Sequence, residues 1–238
     1  MEKRLSTQTL STDALAGERT RFMSRVYLWM TLGLLLTGAV AAHVANTPAY
    51  IEILVTTRFL FMGLIIGELL LVGFLAAAIN RMSVPVAFLT YFAYAALNGI
   101  TFSVIFLAYT QSSIASAFGT TAFAFAGLSI TGLVLKRDLG PVGAFCTMGL
   151  WGIVGVSLAS IFFPGLLGGT FGLVYSVVGV IVFAGLTAYD TQKIKNMYAL
   201  GSEGSEAASK GALYGALTLY LDFINLFIMI LRLTGSRR

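Results

Sequence analysis

The chain has 238 residues, of which 58% are hydrophobic and only 11% charged, and its mean hydropathy is +0.89. A soluble domain carries about 25% charged residues, so this composition excludes a water-soluble fold and points to an integral membrane protein. The net charge of +5 does not indicate a nucleic-acid partner, because the basic residues lie between apolar runs rather than in one patch; they read as topology signals.

Residues 1–25 are polar and contain Lys3, Arg4, Arg19, Arg21 and Arg25. They are expected to form a mobile basic arm, with residues 26–238 as the membrane domain. The first apolar run, VYLWMTLGLLLTGAVAAHVA, is longer than the roughly 7 to 15 residues of a signal-peptide core and matches a span. Its His43 has no second histidine or cysteine beside it, so a metal site there is not expected. Further runs cover 59–79, 84–108, 113–135, 142–162, 171–190 and 211–231, giving seven spans. Turn or charge signals separate them: NTPAY, NRMSVP, YTQSS, KRDLGP, PGLLGG and GSEGSEAASKG. Runs near twenty residues are too long for barrel strands of about ten, so the expected fold is an all-α bundle of seven transmembrane helices with the lipid bilayer as its surroundings.

Lys and Arg in the loops set the orientation. With the N-terminus in the cytoplasm, eleven of the fifteen basic residues fall inside; Arg58, Arg232, Arg237 and Arg238 fall outside. Three of those four belong to the C-terminal tail, which leaves a re-entrant last segment as the alternative to seven spans. Glycines recur within the runs, and Gly63 with Gly67 forms a GxxxG, a spacing that lets helices approach closely in lipid. The single cysteine, Cys146, excludes an intramolecular disulfide and reads as an ordinary buried residue.

Three acidic residues fall in or at the end of apolar runs: Glu68, Asp190 and Asp222. An Asp at the centre of a membrane helix costs roughly 2.5–3.5 kcal/mol on insertion scales, so it is expected to face the bundle interior with a partner. Helical spacing puts Thr218 and Asn225 on the face of Asp222. Asp190 ends the sixth run, before Lys193 and Lys195, and an interfacial cap solvated by those lysines is the alternative role. At 1.5 Å per residue, Asp222 lies roughly 16 Å along a helix begun at Gly211, and Asp190 nearly 28 Å along one begun at Phe171. The two are therefore expected to meet only if the last helix starts late, tilts or breaks, for which GALYGAL offers two glycines. Two carboxylates that do meet share one proton, a latch sensitive to pH. Deprotonated, they are candidate ligands for a hard cation such as calcium, with Glu68, Asn225, carbonyls and water completing the shell.

GLTAYDTQKIKNM and GALTLYLDFINLFIMILRLTG resemble the signature segments of the Bax inhibitor family, the transmembrane Bax inhibitor motif proteins, and in particular its bacterial inner-membrane branch. The resemblance runs from VYLWMTLGLLLTG to the C-terminus. It implies six helices around a central seventh and a pH-sensitive calcium leak governed by a di-aspartyl pair, which falls on Asp190 and Asp222. The family also places a basic residue at the inner end of the second helix, which falls on Arg81, and an acidic position on the same helix matches Glu68. No bound cofactor and no enzymatic activity are implied; calcium would be the transported ion.

Other functions remain open to the sequence. An intramembrane aspartyl protease would use two such aspartates, and AYD matches half of its signature; the other half requires GxGD where this chain has LYLD, and no Pro-Ala-Leu comes after it. A non-transporting regulatory membrane protein would use the arm or the glycine-rich helices to hold a partner. A proton-coupled carrier would show an inverted repeat or interrupted helices, and neither is visible.

Overall fold

The computed structural model describes residues 2–163, 165–197 and 204–237, with the backbone alone for residues 2–16, 55 and 58. The side chains of Lys3, Arg4 and Arg58, together with Pro164, Gly201, Ser202, Glu203 and Arg238, lie outside the described residues.

Among the described residues the chain is helical throughout: α1 (Glu2–Ala45), α2 (Pro48–Thr56), α3 (Arg58–Ala78), α4 (Val84–Phe102), α5 (Ile105–Ala108), α6 (Gln111–Val134), α7 (Gly140–Phe162), α8 (Gly169–Met197) and α9 (Glu206–Thr234). The helices start where sequence chemistry lets them. Proline occupies the first turn of α2, α4 and α7, where its missing N–H is an orphan in any case. The side chains of Thr110 and Ser205 cap α6 and α9 by accepting from Ser113 N–H and Ala208 N–H. Seven helices are long and apolar enough to cross a membrane, α4 and α5 together making one of them. The basic arm has a helical backbone continuous with the first span, α1 beginning at Glu2.

Chain order alternates the helices between two ends of the bundle. The near end holds the start of α1 and the turns after α3, α6 and α8. The far end holds the turns after α1, α5 and α7 and the end of α9. At the near end Gln192 fastens the α6–α7 turn: its Oε1 accepts from Leu139 N–H at 2.9 Å, and its Nε2 donates to the carbonyls of Leu135 (3.1 Å) and Arg137 (2.9 Å). At the far end Thr110 N–H donates to Ser236 O at 3.2 Å.

The core is organised on α9. It packs against α8, α1, α6 and α4, and 67% of its most apolar window is buried, against 6% for α3 and 11% for α7. This is six spans around a seventh, with α3 and α7 seated on the outside of α4 and α8. In lipid the apolar face alone does not drive helices together, so tight backbone approach and internal hydrogen bonds must. Glycine supplies the approach at specific crossings: a Cβ at Gly215 would lie 2.8 Å from Ile194 Cγ2, and one at Gly179 would fall on Met229. The GxxxG at Gly63 and Gly67 is not used this way; a Cβ at either would meet nothing within 4 Å, because α3 turns that face outward.

Candidate functional site

Asp190 and Asp222 line one cavity of about 350 Å³, bounded by α8 and α9 with Ala76 of α3 and Thr147 and Leu150 of α7. They share this cavity, without a hydrogen bond between them, although α9 is a single unbroken helix. The crossing contacts fix the register, with Gly179 level with Met229 and Gly215 level with Ile194. Counting equal steps along the two antiparallel helices sets Asp190 level with Thr218 or Leu219, so Asp222 lies about one turn, roughly 5 Å, deeper along the axis. The depth argument from sequence kept the two apart because it ended the sixth span at Asp190. α8 in fact runs on to Met197, which sets Asp190 inside the helical bundle rather than at its rim.

Asp222 is 5% exposed, and its Oδ2 is buried without a hydrogen-bond partner. The two carboxylates are close enough to interact electrostatically, yet no hydrogen bond joins them among the described residues. The polar stripe expected on α9 is present: Thr218 and Asn225 share the cavity wall with Asp222. Thr218 Oγ1 donates to Tyr214 O at 3.0 Å and Asn225 Nδ2 to Leu221 O at 2.8 Å. Both side chains thereby spend protons on the backbone and keep an oxygen with free lone pairs.

Among the described residues the cation at this cavity is Lys193, which lines it, acts on Asp190 through its charge and stands 5.7 Å over the Tyr189 ring. Arg81, the basic residue that the resemblance put beside the aspartates, is not brought there. α3 ends at Ala78, and Arg81 is exposed in the turn beyond it. Nor does Glu68 join the pair. It sits eight residues, about 12 Å of helix, from the Ala76 that does line the cavity, and it accepts a hydrogen bond from Thr101 Oγ1 of α4. Among the described residues no group of three or more His, Cys, Asp or Glu could hold a metal ion. The ligand set expected with Glu68 is therefore reduced to Asp190, Asp222 and neutral oxygens.

Sequence reasoning did not single out Thr147, which lines the same cavity from α7 and whose Oγ1 donates to Gly143 O at 2.7 Å. A lone threonine in a glycine-rich helix carries no periodic signal. It also missed a second buried polar group on α9, Tyr220, whose hydroxyl lies 2.7 Å from Thr37 Oγ1 of α1. His43 is exposed, with the Tyr50 ring 6.3 Å from its own, and Cys146 is buried.

Comparison with known proteins agrees with this architecture. The sequence profile described as inhibitor of apoptosis-promoting Bax1 matches residues 19–238. The chain is 47% identical over 226 residues to the inner membrane protein YbhL of Escherichia coli K12, covering 94% of each chain. It is 38% identical over 216 residues to a protein of Deinococcus radiodurans, covering 91% of this chain and 90% of that one. A protein of Borreliella burgdorferi is 37% identical over 220 residues, covering 92% and 94%. A multi-pass helical membrane protein matched from the near end of its first span to its last residue, this chain belongs to the Bax inhibitor family.

Proposed function

We propose that this protein is a pH-sensitive leak pathway for calcium across a bacterial inner membrane, gated at Asp190 and Asp222, with its N-terminus in the cytoplasm. The observation that carries the reading is the unpartnered Oδ2 of Asp222, in a cavity it shares with Asp190. A carboxylate oxygen inside a bundle without a partner is costly unless a proton or a cation reaches it. It is therefore a site where either one is received.

With protons on the pair, α8 and α9 stay packed along their glycine crossings. Losing those protons leaves two negative charges on one cavity wall, which pushes the helices apart and attracts a hard cation. Calcium is the substrate in this scheme, held in passing by the two carboxylates with the oxygens of Asn225 and Thr218, while Lys193 at the near end opposes its entry. Since no hydrogen bond latches the carboxylates together, repulsion is the dominant effect, and flux is expected to rise with pH.

The test is calcium entry into dye-loaded proteoliposomes between about pH 5 and 8. The wild type is expected to pass more calcium as pH rises. Asp222→Asn and Asp190→Asn should each lower the flux at the upper end at least about tenfold, the size of a lost charge-assisted contact, and flatten its pH dependence. Flux no greater than in empty liposomes, or flux indifferent to both substitutions, would overturn the proposal.

A further inference from the structure

A second cavity, of about 430 Å³, opens at the near end between α1 and the ends of α6 and α8. One face of α1 lines it through Arg19, Met23 and Tyr27, four residues apart; Leu133 closes α6's side and Lys195 α8's. Two cations face this space, and no carboxylate lines it among the described residues. Among the described residues three buried side-chain nitrogen or oxygen atoms lack a hydrogen-bond partner: Asp222 Oδ2, Arg19 Nε and the Tyr27 hydroxyl. The last two are covered atoms of residues that line this cavity. Lys195 Nζ spends one proton on Leu133 O at 2.6 Å and has two left.

Buried donors are ordinarily paired, so three side chains with protons to give, two of them charged, describe a site for an anion with several acceptor oxygens. A phosphate group has that chemistry. The rest of the wall is Met23, Leu133 and the Tyr27 ring together with Thr20 and Ser24, and the Ser24 hydroxyl is spent on Thr20 O at 2.9 Å. The surface left is mainly apolar, which suits the glycerol and upper acyl carbons of a phospholipid better than a free inorganic ion. We propose that this cavity holds the head group of one anionic phospholipid, its phosphate received by Arg19, Tyr27 and Lys195. Basic pockets between spans bind acidic head groups in this manner. α1 and α6 both pack on α9 but scarcely touch each other, so the head group would close the bundle where protein contacts leave a gap.

The test uses native mass spectrometry of the full chain in mild detergent, offered phosphatidylglycerol and phosphatidylcholine with identical acyl chains. One phosphatidylglycerol is expected to remain bound in preference to phosphatidylcholine. Arg19→Gln and Lys195→Gln should each weaken its retention about fivefold, the worth of one basic residue near an anionic lipid, while Arg19→Lys retains most of it. Arg25→Gln, an exposed position on the same helix outside the cavity, should leave retention unchanged and serves as the control for general charge. A large excess of inorganic phosphate should not displace the lipid. Equal retention of both lipids, equal loss with Arg25→Gln, or displacement by inorganic phosphate would each overturn the assignment.

Discussion

Tyr220 and Asp222 stand two residues apart on α9, both buried, and their surroundings treat them differently. Thr37 Oγ1 donates to a carbonyl, Ala95 O at 2.8 Å or Gly33 O at 3.0 Å. Its one proton is thereby used, so the Tyr220 hydroxyl must donate to Thr37 across 2.7 Å. That direction makes the pair asymmetric. Thr37→Val leaves the Tyr220 hydroxyl buried without an acceptor and is expected to destabilise the protein by about 1–2 kcal/mol. Tyr220→Phe removes only the donor and should cost under about 1 kcal/mol. Unfolding of the detergent-solubilised protein in graded sodium dodecyl sulfate measures both, and a reversed order would show that the donor assignment is wrong. Of these residues only the carboxylates were legible in the sequence, because a charge inside an apolar run stands out whereas a Thr or Tyr does not. For the carboxylates the sequence supplied the two residues, the polar stripe and Lys193, three residues after Asp190; Arg81 was added by the family resemblance alone, and only the end of α3 at Ala78 shows that it lies in the turn beyond.

At the scale of elements, hydropathy located all seven spans, since a bilayer demands about twenty apolar residues and turn residues mark the gaps. What it did not locate is which glycines are crossings. Spacing singled out Gly63 and Gly67, yet these face open space. Gly132 of α6, which belongs to no such motif, has the Ala188 carbonyl of α8 against it and would set a Cβ 2.9 Å from Thr191 Cβ. Backbone cannot yield as a side chain tip can, so Gly132→Ala should force α6 off α8 and cost about 1–3 kcal/mol, as overpacking does. Gly63→Ala should be neutral or slightly stabilising through the better helix propensity of alanine. The same unfolding measurement compares them, and a Gly63→Ala as harmful as Gly132→Ala would mean that α3 has a packing partner absent from the monomer. The pattern of small residues is a property of one helix, whereas a crossing needs two helices at a given azimuth, and that emerges only from the assembled bundle.

For the whole molecule, the remaining question is which end faces the cytoplasm, and the C-terminal arginines are the residues that complicate it. α9 has 29 residues without interruption, about 43 Å of helix against a hydrocarbon core of about 30 Å, so it is long enough to cross and has no break at which to re-enter. Arg232 then has a local reason to be where it is. It lies in the last turn of α9, where the helix dipole favours a cation, and its guanidinium sits 5.4 Å over the Tyr175 ring. A charge fixed by its own helix end says little about sidedness, and discounting it strengthens the excess of Lys and Arg at the near end. The proposed orientation, with the near end cytoplasmic, predicts a labelling pattern. With Cys146→Ser removing the one native thiol, Ser83→Cys reports on the near end, and Ser112→Cys and Ser236→Cys report on the far end, all three positions being exposed. A maleimide that cannot cross membranes should label the two far positions on intact cells and the near one only in inverted vesicles. The mirror pattern would reverse the orientation, and Ser236→Cys labelled together with Ser83→Cys would show that α9 does not cross.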